Sequence, residues 1–347
     1  MKQPVIYYFC PDFRGTVGGV KTMYRHVDIL NRNNIDAAVL HSTTGFRCGW
    51  FENETKIAYV KHAQFAKEDV IVFPESLLAY FTDFTSPSKP KLQVNRIFSK
   101  SRHKYYVNEL SKAPVRKVIF NQNAYLTFEG MDYLKEYVIP YLRSDVVGTI
   151  CVSEDNYNYL KFVFPEICLY RVPLSVNKAD FSYQPQKKRQ IAFIADRNKE
   201  DLNQVLTILK IKRVTDGFQR VPIKGKTEKQ VSQILKESLL FLSFGRAEGF
   251  SLPPMEAMLC GCVVVGYHGR AGLEYFNPSF CYPVDVGDII GFARSVEEVI
   301  AAYKETPSLI AEKGKKASEY ITLNYNAQIE EADLTRIWLE ILGSNPA

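Results

Sequence analysis

The stretch that decides the fold is "LLFLSFGRAEGFSLPPMEAMLCGCVVVGY", Leu239 to Tyr267. It opens on an apolar run (239–245) and passes through a turn rich in Gly and Pro. A helix-like segment, "PPMEAMLCG", follows, and the stretch closes on "CVVVGY" (262–267). Short apolar runs bounded by turn residues read as buried parallel strands, and a helix between two of them makes a βαβ unit. Two carboxylates, Glu248 and Glu256, flank the turn with seven residues between them. Pro253 and Pro254 suit the start of a helix, which is expected to place Glu256 in the first turn, where a carboxylate complements the dipole. Glu248 is expected to end a strand at the sheet edge where α/β proteins bind ligands, with Gly249 baring the backbone behind it. Carboxylates accept from hydroxyls, and bare amides donate to an anion. The pair therefore suits a ligand carrying both hydroxyls and phosphate.

The alternation continues outward. "IAFIA" (191–195) and "VPIKG" (221–225) read as strands, and the helix after the second starts with Thr227 and Gln230 at capping-box spacing. Towards the amino terminus, "VIYYFC" (5–10), "DAAVLH" (36–41), "DVIVF" (69–73), "KVIF" (117–120) and "GTICVS" (148–153) read as strands. In the first helical segment Val20, Met23, Tyr24, Val27 and Leu30 follow a helical period. Residues 171–190 carry prolines and a basic cluster without periodicity, as an inter-domain connection would. The expectation is an α/β chain of two doubly wound Rossmann-like domains, 1–172 and 191–326, joined by a 173–190 linker. They are expected to face each other across a cleft that opens and closes around a ligand. A terminal amphipathic helix (327–342) packs either on its own domain or back on the first.

Composition fits this. The 347 residues are 46% hydrophobic and 24% charged, and the net charge of +6 permits an anionic partner without demanding one. Seven scattered cysteines, several within apolar runs, suit buried reduced thiols, and the C-x-C at Cys260 and Cys262 lacks the partners of a zinc site. The amino terminus does not read as a signal peptide and no stretch approaches a membrane span, so the expected location is cytoplasmic, or peripheral at the inner face of a membrane.

Three further loops have chemistry in them. "PDFRGTVGGVKTMYRH" follows the first strand, and Gly15, Gly18 and Gly19 open a helix whose amides favour phosphate. Its spacing is neither the dinucleotide fingerprint nor a P-loop, and glycines that only permit a tight βα turn explain it equally. "GYHGRAGLEYF" (266–276) is a second bare loop, with Arg270 and Glu274 as its charged members. In "IADRNKEDL", Arg197 and Lys199 follow a strand and are placed to neutralise a diphosphate, or are solvated charges at a helix start.

Together these loops resemble the retaining GT-B glycosyltransferases of family 4, the glycosyl transferases group 1 class. The segment Glu248-Gly-Phe-Ser-Leu-Pro-Pro-Met-Glu256 matches that family's E-x7-E signature, and "GCVVVGYHGRAGLEYF", the Gly18-Gly19-Val20 loop and "VSEDNYNYL" support it. The resemblance implies a carboxyl-terminal nucleotide-sugar domain and an amino-terminal acceptor-side domain. It implies that Glu256 holds the ribose hydroxyls and that Glu248 borders the donor sugar. It implies that Gly249, Phe250, Ser251 and Leu252 face sugar and diphosphate, with Gly18, Gly19 and Arg270 also on the donor. A basic pair, Arg197 first and Lys199 second, holds the diphosphate and stabilises the leaving nucleotide. No cofactor and no metal is expected.

Two departures from the family stand out. Asp196, beside Arg197, would repel phosphate. Where many relatives have a histidine after the strand matching "KVIF", this chain has Asn121, Gln122 and Asn123, which can bond sugar hydroxyls but cannot act as a base. Front-face attack, with the leaving phosphate taking the acceptor proton, needs no such base. Glu75, in "FPES", is an acceptor contact or a satisfied charge at a helix start. Between Pro87 and Lys117 lie nine Lys or Arg against one acid, Glu109, with Phe98, Tyr105 and Tyr106 among them. That is a face for anionic lipid or a lipid-diphosphate acceptor, or a solvated helix; no nucleic-acid module accompanies it. The expected activity is hexosyl transfer from a nucleotide-diphosphate sugar to a glycan or lipid-linked acceptor. The alternative is a non-catalytic sugar- or nucleotide-binding protein on the same fold. A glycoside hydrolase using Glu248 and Glu256 would leave the phosphate-type loops unexplained.

Overall fold

The computed structural model describes residues 3–15, 17–81, 101–131 and 139–343, with the side chains of 101–104 outside that set. The chain divides into two compact units. Unit 1 comprises Met1–Val152, Asn156–Val172 and Glu331–Ala347, and unit 2 comprises Ser153–Asp155 and Pro173–Glu330.

Among the described residues, unit 1 holds strands β1 (Ile6–Phe9), β2 (Ala37–His41), β3 (Ile57–Tyr59), β4 (Val70–Pro74), β5 (Arg116–Asn121), β6 (Val146–Cys151) and β7 (Leu169–Arg171). Its helices are α1 (Gly18–Arg32), α2 (Ser101–Lys112) and α3 (Glu154–Val163), the first two residues of α3 being counted with unit 2. The strands are parallel and run in the order β3-β2-β1-β4-β5-β6-β7. The strand order reverses between β1 and β4, so the loops after those two strands border the switch point, where doubly wound sheets bind ligands. The apolar face expected of α1 is buried, at Val20, Met23, Tyr24, Val27 and Leu30.

Unit 2 holds β8 (Lys188–Ile194), β9 (Gln219–Ile223), β10 (Ser238–Glu248), β11 (Val263–Arg270) and β12 (Tyr282–Val284). Its helices are α4 (Lys199–Ile211), α5 (Glu228–Glu237), α6 (Leu252–Leu259), α7 (Ile289–Glu305) and α8 (Pro307–Asn324). All its strands are parallel, in the order β12-β11-β10-β8-β9, which puts the switch point between β8 and β10. The pleat divides the apolar runs between two cores. Ile191, Phe193, Leu240, Leu242, Val263 and Val265 pack with Leu202, Val205, Phe292 and Val296 of α4 and α7. Ala192, Phe241 and Val264 point the other way, onto Leu235, Met255, Met258 and Ala317 of α5, α6 and α8. The capping box at the start of α5 is formed by Thr227 and Gln230.

The stretch before β8 is packed rather than linker-like. Val176 and Phe181 are buried in unit 2, and Lys187 donates to the carbonyls of Leu235, Lys236 and Cys260. That places a cation at the carboxyl-terminal ends of α5 and α6, where it complements the helix dipoles. The terminal helix, α9 (Ala327–Gly343), belongs to unit 1 from Glu331 onward. There the buried indole of Trp338 donates to Tyr8 Oη at 3.1 Å, and Arg32 pairs with Glu331 at 2.9 Å. No helix among the described residues is long and apolar enough to cross a membrane.

Candidate active site

The chemistry of unit 2 starts from a strand irregularity. β10 pairs with β11 in register up to Gly245 opposite His268, and pairing resumes at Glu248 opposite Arg270. The bulge at Arg246 and Ala247 re-aims the strand end, a device common beside active sites. It turns the Glu248 carboxylate back over Gly245, where an added Cβ would meet it at 3.2 Å. Across the switch point, the turn after β8 presents Arg197, whose Nη1 lies 2.6 Å from Glu248 Oε1. Ile194, Arg197, Phe244, Glu248, Ser251 and Pro253 are among the residues lining a shallow recess open to solvent.

The other residues expected on the donor side lie around α6 and at the ends of β8 and β11. Ser251 precedes α6 and is buried, and its carbonyl accepts from Tyr275 Oη at 2.7 Å. Phe250 packs beside the rings of Tyr275 and Tyr325. α6 begins at Leu252, one residue ahead of the prolines, so Glu256 is its fifth residue and lies in the second turn rather than the first. The helix accommodates both prolines in its opening turn, where their missing N–H groups would have no partner. Arg270 adopts φ 68° and pairs with Asp155 at 3.2 Å, within unit 2. Lys199 lies 3.5 Å from Asp196, which Lys224 approaches to 3.2 Å. The Lys224 ammonium, with Lys199, holds the Asp196 carboxyl below its usual range. The acid expected to repel phosphate is thus bracketed by two cations. Lys224 escaped the sequence reading as a charge of this site, although it follows β9 as Arg197 follows β8.

In unit 1 the residues expected on the acceptor side gather at the carboxyl ends of β4 and β5. Glu75 follows β4 at the start of a short 3-10 helix (Glu75–Tyr80) and is 5% exposed. Its Oε2 accepts from the Gln122 backbone N–H at 3.0 Å. The Gln122 side-chain amide lies over Gly19, 3.0 Å from where a Cβ would stand. Asn123 caps the next short helix, accepting from the Tyr125 N–H at 3.1 Å. Asn121 departs from expectation. As the last residue of β5 it points inward, fully buried, and donates to Thr127 Oγ1 (3.0 Å) and Tyr141 Oη (2.7 Å). It pins the strand end and is not available to an acceptor. The loop carrying Gly18 and Gly19 is held by a network the sequence did not announce. Asp12 accepts from Ser42 Oγ at 2.8 Å and lies 2.8 Å from His41 Nδ1, whose Nε2 is 2.7 Å from Tyr24 Oη.

Burial pushes the Glu75 carboxyl up to about 7, against the backbone amides that favour its charge. Because the folded protein then holds this proton more tightly than the unfolded chain, stability should be highest below pH 4.5 for this group. It should fall as pH rises to about 7, by on the order of 3 kcal/mol. Glu75→Gln should therefore stabilise the protein at pH 8 and change little at pH 5. Melting curves at both pH values check this, and an equal shift at the two would contradict it.

Of the basic, aromatic stretch, residues 87–100 and the side chains of 101–104 lie outside the described residues. Of its remainder, Lys117 is fully buried and bonds Asp145 Oδ2 at 2.8 Å and two carbonyls, while Arg116 donates to the Ile341 and Glu68 carbonyls. Neither contributes to a free basic face, because each sits on an inner strand of a parallel sheet.

Two parallel doubly wound units in one chain are the architecture of the GT-B class. Residues 218–317 match the Glycosyl transferases group 1 family, and the protein is a glycosyltransferase. It is 23% identical over 305 residues to an alpha-1,6-glucosyltransferase of Actinobacillus pleuropneumoniae serotype 7, covering 84% of this chain and 82% of that protein. Among solved structures it is similar to sucrose-phosphate synthase of Thermosynechococcus elongatus, with TM-score 0.66 and 10% identity over 99% of this chain and 100% of that one. It is also similar to the Anabaena protein HepE in complex with UDP, with TM-score 0.63 and 11% identity over 99% and 100%.

Proposed function

We propose that the protein is a retaining, metal-independent hexosyltransferase that moves a sugar from a nucleotide-diphosphate donor to a glycan or lipid-linked acceptor. The observation that carries this reading is the Arg197–Glu248 pair at the unit 2 switch point, set by a β-bulge beside a bare turn. Arg197, with Lys199, holds the diphosphate; Glu256 accepts from the ribose hydroxyls; Glu248 borders the sugar. The amides of Gly249 to Leu252 face the sugar and phosphate. These side chains supply the positive charge that the diphosphate needs.

In the transfer, the bond from the sugar's anomeric carbon to the diphosphate oxygen breaks and its electron pair leaves with the nucleotide. An acceptor hydroxyl oxygen bonds the same carbon from the same face, and its proton passes to the departing phosphate. Gln122 and Asn123 are placed to bond acceptor hydroxyls, and Glu75 positions their backbone. UDP in the HepE complex and the name of the Actinobacillus relative support uracil as the base and glucose as the sugar. The expected working location is cytoplasmic or at the inner face of a membrane.

Calorimetric titration with UDP, GDP, ADP, CMP and dTDP, then with their sugars, tests the reading. One nucleotide diphosphate, UDP by expectation, should bind, and its sugar should be consumed when an acceptor extract is added. Glu256→Ala should weaken that nucleotide roughly tenfold or more, since two charge-assisted hydrogen bonds are lost. Unchanged affinity in the variant would end the ribose assignment, and no nucleotide binding at all would end the donor reading.

A further inference from the structure

The turn that carries Arg197 is held from behind by a carboxylate that the reaction scheme does not use. Asp201 is the third residue of α4, where an acid is ordinarily a solvated partner of the helix dipole. Here it is 7% exposed and turned inward. Its Oδ2 accepts from Asn198 Nδ2 at 2.6 Å and from the buried Tyr267 Oη at 3.0 Å, and lies 3.5 Å from Arg246 Nη2. Asn198 precedes α4 in the left-handed region, φ 38°, and makes no cap bond with its side chain. A non-glycine residue in that region is strained unless its surroundings fix it, and Asn is tolerated there when its side chain bonds locally. The three donors come from three places: the turn after β8, the bulge of β10, and β11. They are the segments that carry Arg197, Glu248 and Arg270.

We propose that Asp201 is a positioning residue for the diphosphate site: by binding Asn198, Tyr267 and Arg246 together it fixes the turn that aims the Arg197 guanidinium. This rests on the reading that Arg197 holds the diphosphate. The sign of its effect is diagnostic. A carboxylate that acted only through its charge would repel the anion, so removing the charge would tighten binding. A positioning carboxylate does the reverse: Asp201→Asn turns the charge-assisted bonds from Asn198 and Tyr267 into weaker neutral ones and ends the pairing with Arg246, which loosens the turn.

The test uses inorganic pyrophosphate as the probe, titrated at low ionic strength into wild type, Asp201→Asn, Asn198→Gly, Arg197→Ala and the Asp201→Asn/Arg197→Ala double variant. Asn198→Gly keeps the left-handed backbone and removes only the bond to Asp201, so it decides the matter if Asp201→Asn fails to fold. Each of these two variants should weaken pyrophosphate about five- to tenfold, a coupling expected of residues in one network. The double variant should bind no more weakly than Arg197→Ala alone. Tighter or unchanged binding in folded Asp201→Asn, or the same loss repeated in the Arg197→Ala background, would overturn the proposal. If Arg197→Ala binds pyrophosphate like wild type, or wild type does not bind it, the diphosphate reading has failed and takes this proposal with it. If Arg197→Ala binds poorly while Asp201→Asn and Asn198→Gly bind normally, this proposal alone has failed.

Discussion

Arg197→Ala should lower turnover on the order of 10²-fold, the cost of removing a donor aimed at developing charge. The melting temperature should move by less than about 3 °C. The two effects separate because of where Arg197 sits. Its side chain is half exposed and its partner Glu248 keeps some contact with water, at 52% and 16% exposure. A pair of this kind contributes about 1 kcal/mol or less to folding. On the proposed reading, the same modest strength would let an incoming diphosphate take Arg197 from Glu248 at little cost and leave the carboxylate to face the sugar. Arg197→Lys should recover part of the rate, since charge returns without the two-pronged guanidinium. Single-turnover kinetics with the donor identified by titration measure the two rates, and thermal unfolding measures the melting temperature. Wild-type turnover in Arg197→Ala would move the role to Lys199, and Lys224, which brackets the same Asp196, would then be the next substitution to make.

The reason Arg197 and Glu248 could be picked from sequence is that each follows a long apolar run. Such a run fixes a strand, and a strand fixes which end of the sheet a residue occupies. The order of strands is another matter. Nothing in the spacing says that β8 lies beside β10, and that adjacency is what brings the two side chains within 2.6 Å. The three-residue strands β3, β7 and β12 were not legible because short edge strands lack a full apolar run. Asn121 was misread for a related reason. The last residue of a strand points inward or outward by register alone, and "NQN" looks equally polar at all three positions. Asp201 reads as a surface acid at a helix start, and only Tyr267, 66 residues later, shows that it is turned inward. Its partner was hidden because a tyrosine at the end of a β-branched run looks like core packing, which its ring also is.

The second large effect falls on the fold itself. Gly266→Ala should destabilise the protein on the order of 4 kcal/mol and lower its melting temperature by roughly 10 °C. Gly266 sits within β11 opposite Ser243, at φ +126°, where an added Cβ would lie 2.3 Å from the Ser243 carbonyl oxygen and 2.4 Å from the Phe292 ring. The ring cannot retreat easily, because Phe292 is fully buried and stacked on Phe244 at 4.5 Å. Nor can the carbonyl, which belongs to the strand that carries Glu248. Overpacking and the unfavourable φ each cost about 1–3 kcal/mol, and here they act together. Gly287→Ala separates them: its φ is +88° but nothing lies within 4 Å of the added carbon, so only the backbone cost applies. Thermal unfolding of the two variants side by side should give a clearly larger shift for Gly266→Ala, and equal shifts would refute the steric argument. The damage should also reach the site. Tyr267 is the next residue, its carbonyl takes a hydrogen bond from Ser243 Oγ at 2.7 Å and its hydroxyl holds Asp201. A β11 displaced at Gly266 should therefore weaken pyrophosphate binding even at temperatures where the variant is fully folded.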